Sequence, residues 1–205
     1  MKGGRRSKRI GLALAGLMLL VWPGHVLAGG LETAREGLAA QKRGAHAEAV
    51  VKFTRAIKSG RLGRLNLALA HVNRANSFRR LGEVAAAIKD LETGIELAPD
   101  HPAGYNSLAW LLATSPQARH RDGSRAVELA GKALKLGGKT WRSVHLDTRA
   151  AALAEAGRMA EARTVQKEAL ELMKKDGSPT EIVAGARERL ESYNQEKAWQ
   201  EKAGP

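Results

Sequence analysis

The chain of 205 residues contains no cysteine. A fold built from it has no disulfides and stands on packing alone, even in an oxidising space, and no thiol can carry a lipoprotein anchor. Aromatic residues are scarce, at 4%, which leaves few of the stacking platforms that nucleic-acid binders use. Sequence motifs of catalysis are missing too. There is no Gly-x-Ser-x-Gly, no His-Glu-x-x-His and no paired-glycine fingerprint. The apolar run from Ile10 to Trp22 is thirteen residues long, short of the roughly 20 that a membrane-spanning helix needs.

That run has a different reading. Lys2, Arg5, Arg6, Lys8 and Arg9 precede it, Pro23 and Gly24 break it, and Val26-Leu27-Ala28 places small residues where a signal peptidase reads. Residues 1–28 are expected to be a secretory signal cut after Ala28, which sends the chain to a bacterial periplasm. Left uncut, the same segment anchors it in the inner membrane. The Arg5-Arg6 pair lacks the apolar residues of a twin-arginine signal and reads as ordinary basic flank. Beyond Ala28 there remain 29 basic and 21 acidic side chains, a charge of +8.

An internal repeat emerges from the spacing of small residues. Gly44 is followed five residues on by Ala49, Gly82 by Ala87, and Gly157 by Ala162. Seven residues beyond each of these alanines stands Ala56, Gly94 or Ala169, and seven before each glycine stands Gly37, Ala75 or Ala150. A further copy with a longer inner loop carries Ala109, Ala126 and Ala133. Two helices approach closely only where side chains are nearly absent, and glycine supplies the left-handed residue that stops the first of them. Phe53, Ile57, Phe78, Ile88, Leu91, Leu108, Leu112, Leu134, Leu153 and Leu170 fill the space beside the crossings. A single hairpin cannot bury both of its faces, so neighbours stack.

Ala75, Phe78, Gly82, Ala87, Gly94 and Pro99, with "YNSLAWLLATSP" and "LDTRAAALAEAGRMAEARTVQKEALEL" further on, resemble the tetratricopeptide repeat family over residues 30–175. The resemblance implies an all-α, right-handed superhelical stack of four hairpins: about 30–60, 67–100, 102–137 and 141–175. Spacings of 38, 39 and 36 between Ala49, Ala87, Ala126 and Ala162 exceed the family's 34, so longer loops are expected. Thr33 and Glu36 stand where large apolar residues belong, as in a polar terminal cap. Ile182, Ala186, Leu190 and Tyr193 mark one face of a capping helix within residues 178–205.

No reacting group stands out. "ALKLGGKT" ends like a phosphate-binding loop, but Ala133 replaces its first glycine and a helix precedes it, so Gly137 and Gly138 read as a helix stop. His46, His71, His101, His120 and His145 show no helical metal-ligand spacing, and neither metal nor cofactor is expected. The chain reads as a non-enzymatic scaffold. In a stack of hairpins the first helices line a concave groove that holds peptides. Lys42, Asn73, Asn76, Arg80, Asn106 and Trp110 are the expected contacts for a protein or peptide partner, with Val72, Asp147, Ala151 and Glu155 on the same face. Trp110 serves there as an anchor, or else packs under the 114–125 loop. The carboxylate clamp of some family members does not carry over, since Ala34 and Leu38 replace its partners.

Basic residues form the alternative. Arg61, Arg64, Arg74, Arg79 and Arg80 cluster around the second repeat, and Arg119, Arg121 and Arg125 around the third. Export and the lack of aromatics argue against nucleic acid, leaving anionic lipid head groups or lipopolysaccharide at a membrane surface as a second class of partner.

Overall fold

Three turns of the chain have the same backbone. Gly44, Gly82 and Gly157 take φ of +76°, +78° and +77°, a left-handed conformation that side chains with a Cβ resist. After each, an amide reaches back to close the helix end: Ala45 N–H to Ala40 O (2.9 Å), Glu83 N–H to Phe78 O (2.9 Å) and Arg158 N–H to Leu153 O (2.8 Å). This is the Schellman closure, and it turns three helix pairs into hairpins.

The computed structural model describes residues 23–202, with side chains from residue 29. The predicted signal segment and its cut after Ala28 therefore fall outside the described side chains. The hairpins are α1 (Pro23–Lys42) with α2 (His46–Lys58), α3 (Arg64–Arg80) with α4 (Val84–Leu97), α5 (Pro102–Thr114) with α6 (Gly123–Leu136), and α7 (Arg142–Glu155) with α8 (Met159–Lys175); α9 (Thr180–Asn194) follows. Among the described residues there is no strand, and no helix is long and apolar enough to cross a membrane. Each helix packs on the next in sequence, and first helices also pack on one another: α1 on α3, α3 on α5, α5 on α7 and α7 on α9.

The small residues of the repeat lie where the helices cross. Ala49, Ala87, Ala126 and Ala162 are fully buried, as are Ala56, Ala133 and Ala169. A Cβ on Gly94 would stand 2.9 Å from Val72 Cγ2, and one on Gly37 would stand 2.9 Å from the Phe53 ring; both are closer than packed carbons come. The largest cluster joins Val72, Ala75, Leu91, Leu108, Leu112 and Ala151 across three hairpins, so the core is shared between neighbours. On α1, Glu36 is exposed and pairs with Lys52 Nζ on α2 (2.7 Å), so its polar face meets solvent.

The third hairpin has no glycine turn. Residues 115–122 cross between its helices with a 3₁₀ turn at Ala118–His120, and the Asp122 side chain caps α6 by accepting from Arg125 N–H (2.9 Å). Arg121 holds the loop down by donating to Glu155 Oε1 (2.9 Å) and Ser115 O (3.1 Å). Gly137 ends α6 and Gly138 follows at φ +59°, the helix stop expected there.

Candidate functional site

Side chains three and four apart share one helix face, and three such sets converge. Asn76 and Arg79 on α3, Asn106, Ser107 and Trp110 on α5, and Val144, Asp147 and Thr148 on α7 line a cavity of about 380 Å³, closed at one end by Met173 of α8 and Ile182 of α9. A volume in the 300–1,000 Å³ range is that of a small-ligand or side-chain pocket. The helices that line it are the first members of consecutive hairpins. Its walls are mixed: a tryptophan, three aliphatic side chains, two amides, two hydroxyls, one cation and one carboxylate.

Asn106 Oδ1 is buried without a hydrogen-bond partner. A buried carbonyl oxygen without a partner costs about 1–3 kcal/mol. Asp147 is occupied otherwise. Its Oδ1 accepts from Gln166 Nε2 (2.7 Å) and Arg189 Nε (2.9 Å), and its Oδ2 from Arg189 Nη2 (2.7 Å). Those bonds fasten α9 to α7 through α8. The Arg189 guanidinium also lies 5.2 Å over the Trp110 ring, within cation–π range. Beneath this knot Tyr193 is fully buried, and burial together with the Asp147 carboxylate pushes its phenol well above the usual range.

The cavity brings together three of the six residues chosen from the sequence: Asn76, Asn106 and Trp110. Arg79 takes the place expected for Arg80, which is exposed away from the lining; from Asn76 the shared face continues at i+3. Asn73 is half-buried, and its carbonyl accepts from Gln41 Nε2 (2.6 Å). Lys42 is exposed at the end of α1, apart from the cavity. Val72 and Ala151 belong to the core, not the groove: Val72 fills the space over Gly94. Glu155 pairs with Arg121 of the 115–122 loop. Trp110 is half-buried and not wholly free. Arg189 covers its ring, and its Nε1–H donates to Glu201 Oε1 (3.1 Å).

No protein-family model matches the chain, and no curated protein matches it.

One other polar cluster was a candidate for chemistry. His71 Nδ1 lies 2.9 Å from Asp90 Oδ1, and Arg74 donates to both oxygens of Asp90 at 2.7 Å. Burial alone would raise the Asp90 carboxyl, but hydrogen bonds from Arg74 and His71 outweigh it and hold the pKa below its ordinary value. Among the described residues no hydroxyl bonds the other imidazole nitrogen, so the cluster ties α3 to α4. Nor do three His, Asp or Glu side chains come together as metal ligands among the described residues.

The sequence reading of the groove missed Arg79, Ser107, Val144, Thr148, Met173 and Ile182. Helical periodicity from Asn76 and Asp147 could have found Arg79, Val144 and Thr148. Met173 on α8 and Ile182 on α9 reach the cavity through packing between hairpins, which spacing along one helix does not give.

Proposed function

We propose that the protein is a non-enzymatic interaction scaffold of the tetratricopeptide type, a right-handed stack of hairpins that holds a peptide or protein partner in its concave groove. Export by the segment 1–28, with work in the cell envelope, belongs to the same reading. One observation carries it: Asn76 and Asn106 from successive hairpins meet Trp110 around the cavity of about 380 Å³. Amide side chains both donate and accept, so they take hold of a peptide backbone whatever its side chains. The repeated Gly44, Gly82 and Gly157 turns and the fully buried small residues support the family.

The alternative, anionic envelope components held by arginine clusters, has less support. Arg74, Arg79, Arg121 and Arg125 are each paired with a carboxylate, of Asp90, Glu201, Glu155 and Glu92, and so spend their charge within the fold.

Affinity capture from envelope extract at low and moderate salt tests the proposal. A polyanion contact fades as salt screens it, whereas a partner seated on Trp110 and the amides persists. Capture that vanishes at moderate salt sinks the groove reading. The N-terminal mass of the purified protein tests export: Gly29 is the expected first residue, and an intact Met1 in the cytoplasmic fraction contradicts it.

A further inference from the structure

After α9 the chain does not run off into solvent. Glu196 adopts φ +57°, the only left-handed residue other than glycine among the described residues. Lys197 N–H closes back on Ser192 O (2.9 Å), Ser192 Oγ donates to Lys197 O (2.9 Å), and Arg163 holds both the Tyr193 carbonyl (3.1 Å) and the Glu196 carboxylate. A non-glycine residue keeps that conformation only when its surroundings impose it. The turn sends the chain back towards α3 and α5, where Glu201 meets Arg79 and Trp110.

Two side chains then fasten it. Trp199 packs against the core cluster that Ala150, Leu153, Ala154, Ala162 and Tyr193 form. Two residues on, Glu201 forms an ion pair with Arg79 and accepts from Trp110 Nε1 (3.1 Å), while its own N–H donates to Thr114 O (2.8 Å). In extended chain, residues two apart project to the same side, so both anchors face the stack. Only about 20 Å³ remains between Glu201 and the cleft of Arg79, Val84, Leu111 and Pro116, so the segment nearly fills its seat. Arg79 and Trp110 thus line the groove cavity and grip this carboxylate at once.

We infer that the groove is built to receive an extended segment bearing an aromatic residue two positions ahead of a carboxylate, and that residues 197–202, "KAWQEK", are a resident copy of it which a partner with the same pattern displaces. The inference rests on the scaffold reading and gives the partner its chemistry. The apolar cluster of α7 and α8 takes the aromatic ring. The cation of α3 and the indole N–H of α5 take the carboxylate. The open cavity beside them takes the partner's flanking residues, which the resident segment does not supply.

A fluorescein-labelled peptide of residues 197–202, blocked at both ends, is titrated into the full chain and into its Trp199→Ala/Glu201→Gln variant. The peptide is expected to bind the variant at least tenfold more tightly than the wild type, and to lose at least tenfold when its own glutamate is replaced by glutamine. Equal affinity for the two chains, binding to neither included, overturns the inference, as does indifference to the glutamate. Should the double variant unfold, Glu201→Gln alone is read through the Trp110 indole resonance, which is expected to move; an unmoved resonance overturns the inference equally. A dimer of the wild type that becomes a monomer in the variant would show the segment seated on a second copy, and also overturns it. The scaffold reading is judged separately, by changes at Asn76 and Asn106, which do not touch the segment.

Discussion

Asp147 of α7 and Arg189 of α9 form a two-pronged ion pair at 2.9 and 2.7 Å, each side chain about nine-tenths buried. It closes the stack at its C-terminal end. Its value lies mainly in what its loss would leave: a buried guanidinium without a counter-charge. Asp147→Ala is expected to destabilise the protein by about 3–5 kcal/mol, measured by urea denaturation. A loss under about 1 kcal/mol would mean that α9 is held by its apolar face alone.

This pair also shows what sequence reading reaches. The small residues at the crossings and the glycine turns were legible because both follow from local spacing: Ala49, Ala87, Ala126 and Ala162 are fully buried, and Gly44, Gly82 and Gly157 are left-handed. Asp147 was legible as a groove residue, since helical period places it on that face. Its partner lies 42 residues away, and no periodicity connects two elements across such a separation. The same holds for Trp110 and Glu201, 91 residues apart. Arg80 was preferred to Arg79 because a face read from one helix is uncertain by one position; the second helix decides it.

Stability should depend on pH near neutrality. Burial lowers the pKa of His145 below its ordinary value, and burial together with Arg80 and Arg79 lowers that of His46. Each group binds its proton more readily unfolded than folded. The stabilisation is complete above the unfolded pKa of about 6.5 and is lost as pH falls below it towards the folded value. Each such proton contributes a slope of up to about 1.4 kcal/mol per pH unit. Denaturation between pH 7 and 5 should show stability falling with pH, with a shallower slope in His145→Gln. A flat profile in the wild type would contradict the burial of these rings.

Two glycines of α6 should respond in opposite ways. A Cβ on Gly123 would stand 2.5 Å from Ala156 N and 2.7 Å from Glu155 C, backbone that cannot give. On Gly131 it would meet only the mobile end of Arg149, at 3.3 Å. Gly123→Ala is expected to cost about 1–3 kcal/mol, as overpacking does. Gly131→Ala is expected to stabilise by about 0.5–1 kcal/mol through helix propensity. Thermal unfolding of both variants checks the approach of α6 to α7; equal shifts would disprove it.

The central claim is that the cavity between Asn76, Asn106 and Trp110 holds the partner. Asparagine within a helix costs about half a kcal/mol against alanine, and Asn106 Oδ1 adds a buried oxygen without a bond, so both amides weaken the free fold. The most direct measurement compares partner affinity and melting temperature in Asn76→Ala/Asn106→Ala and the wild type. The account predicts a fold as stable as the wild type or more so, with affinity about tenfold weaker, or about 1.4 kcal/mol. Unchanged affinity in that stable double variant would contradict it and place the partner elsewhere.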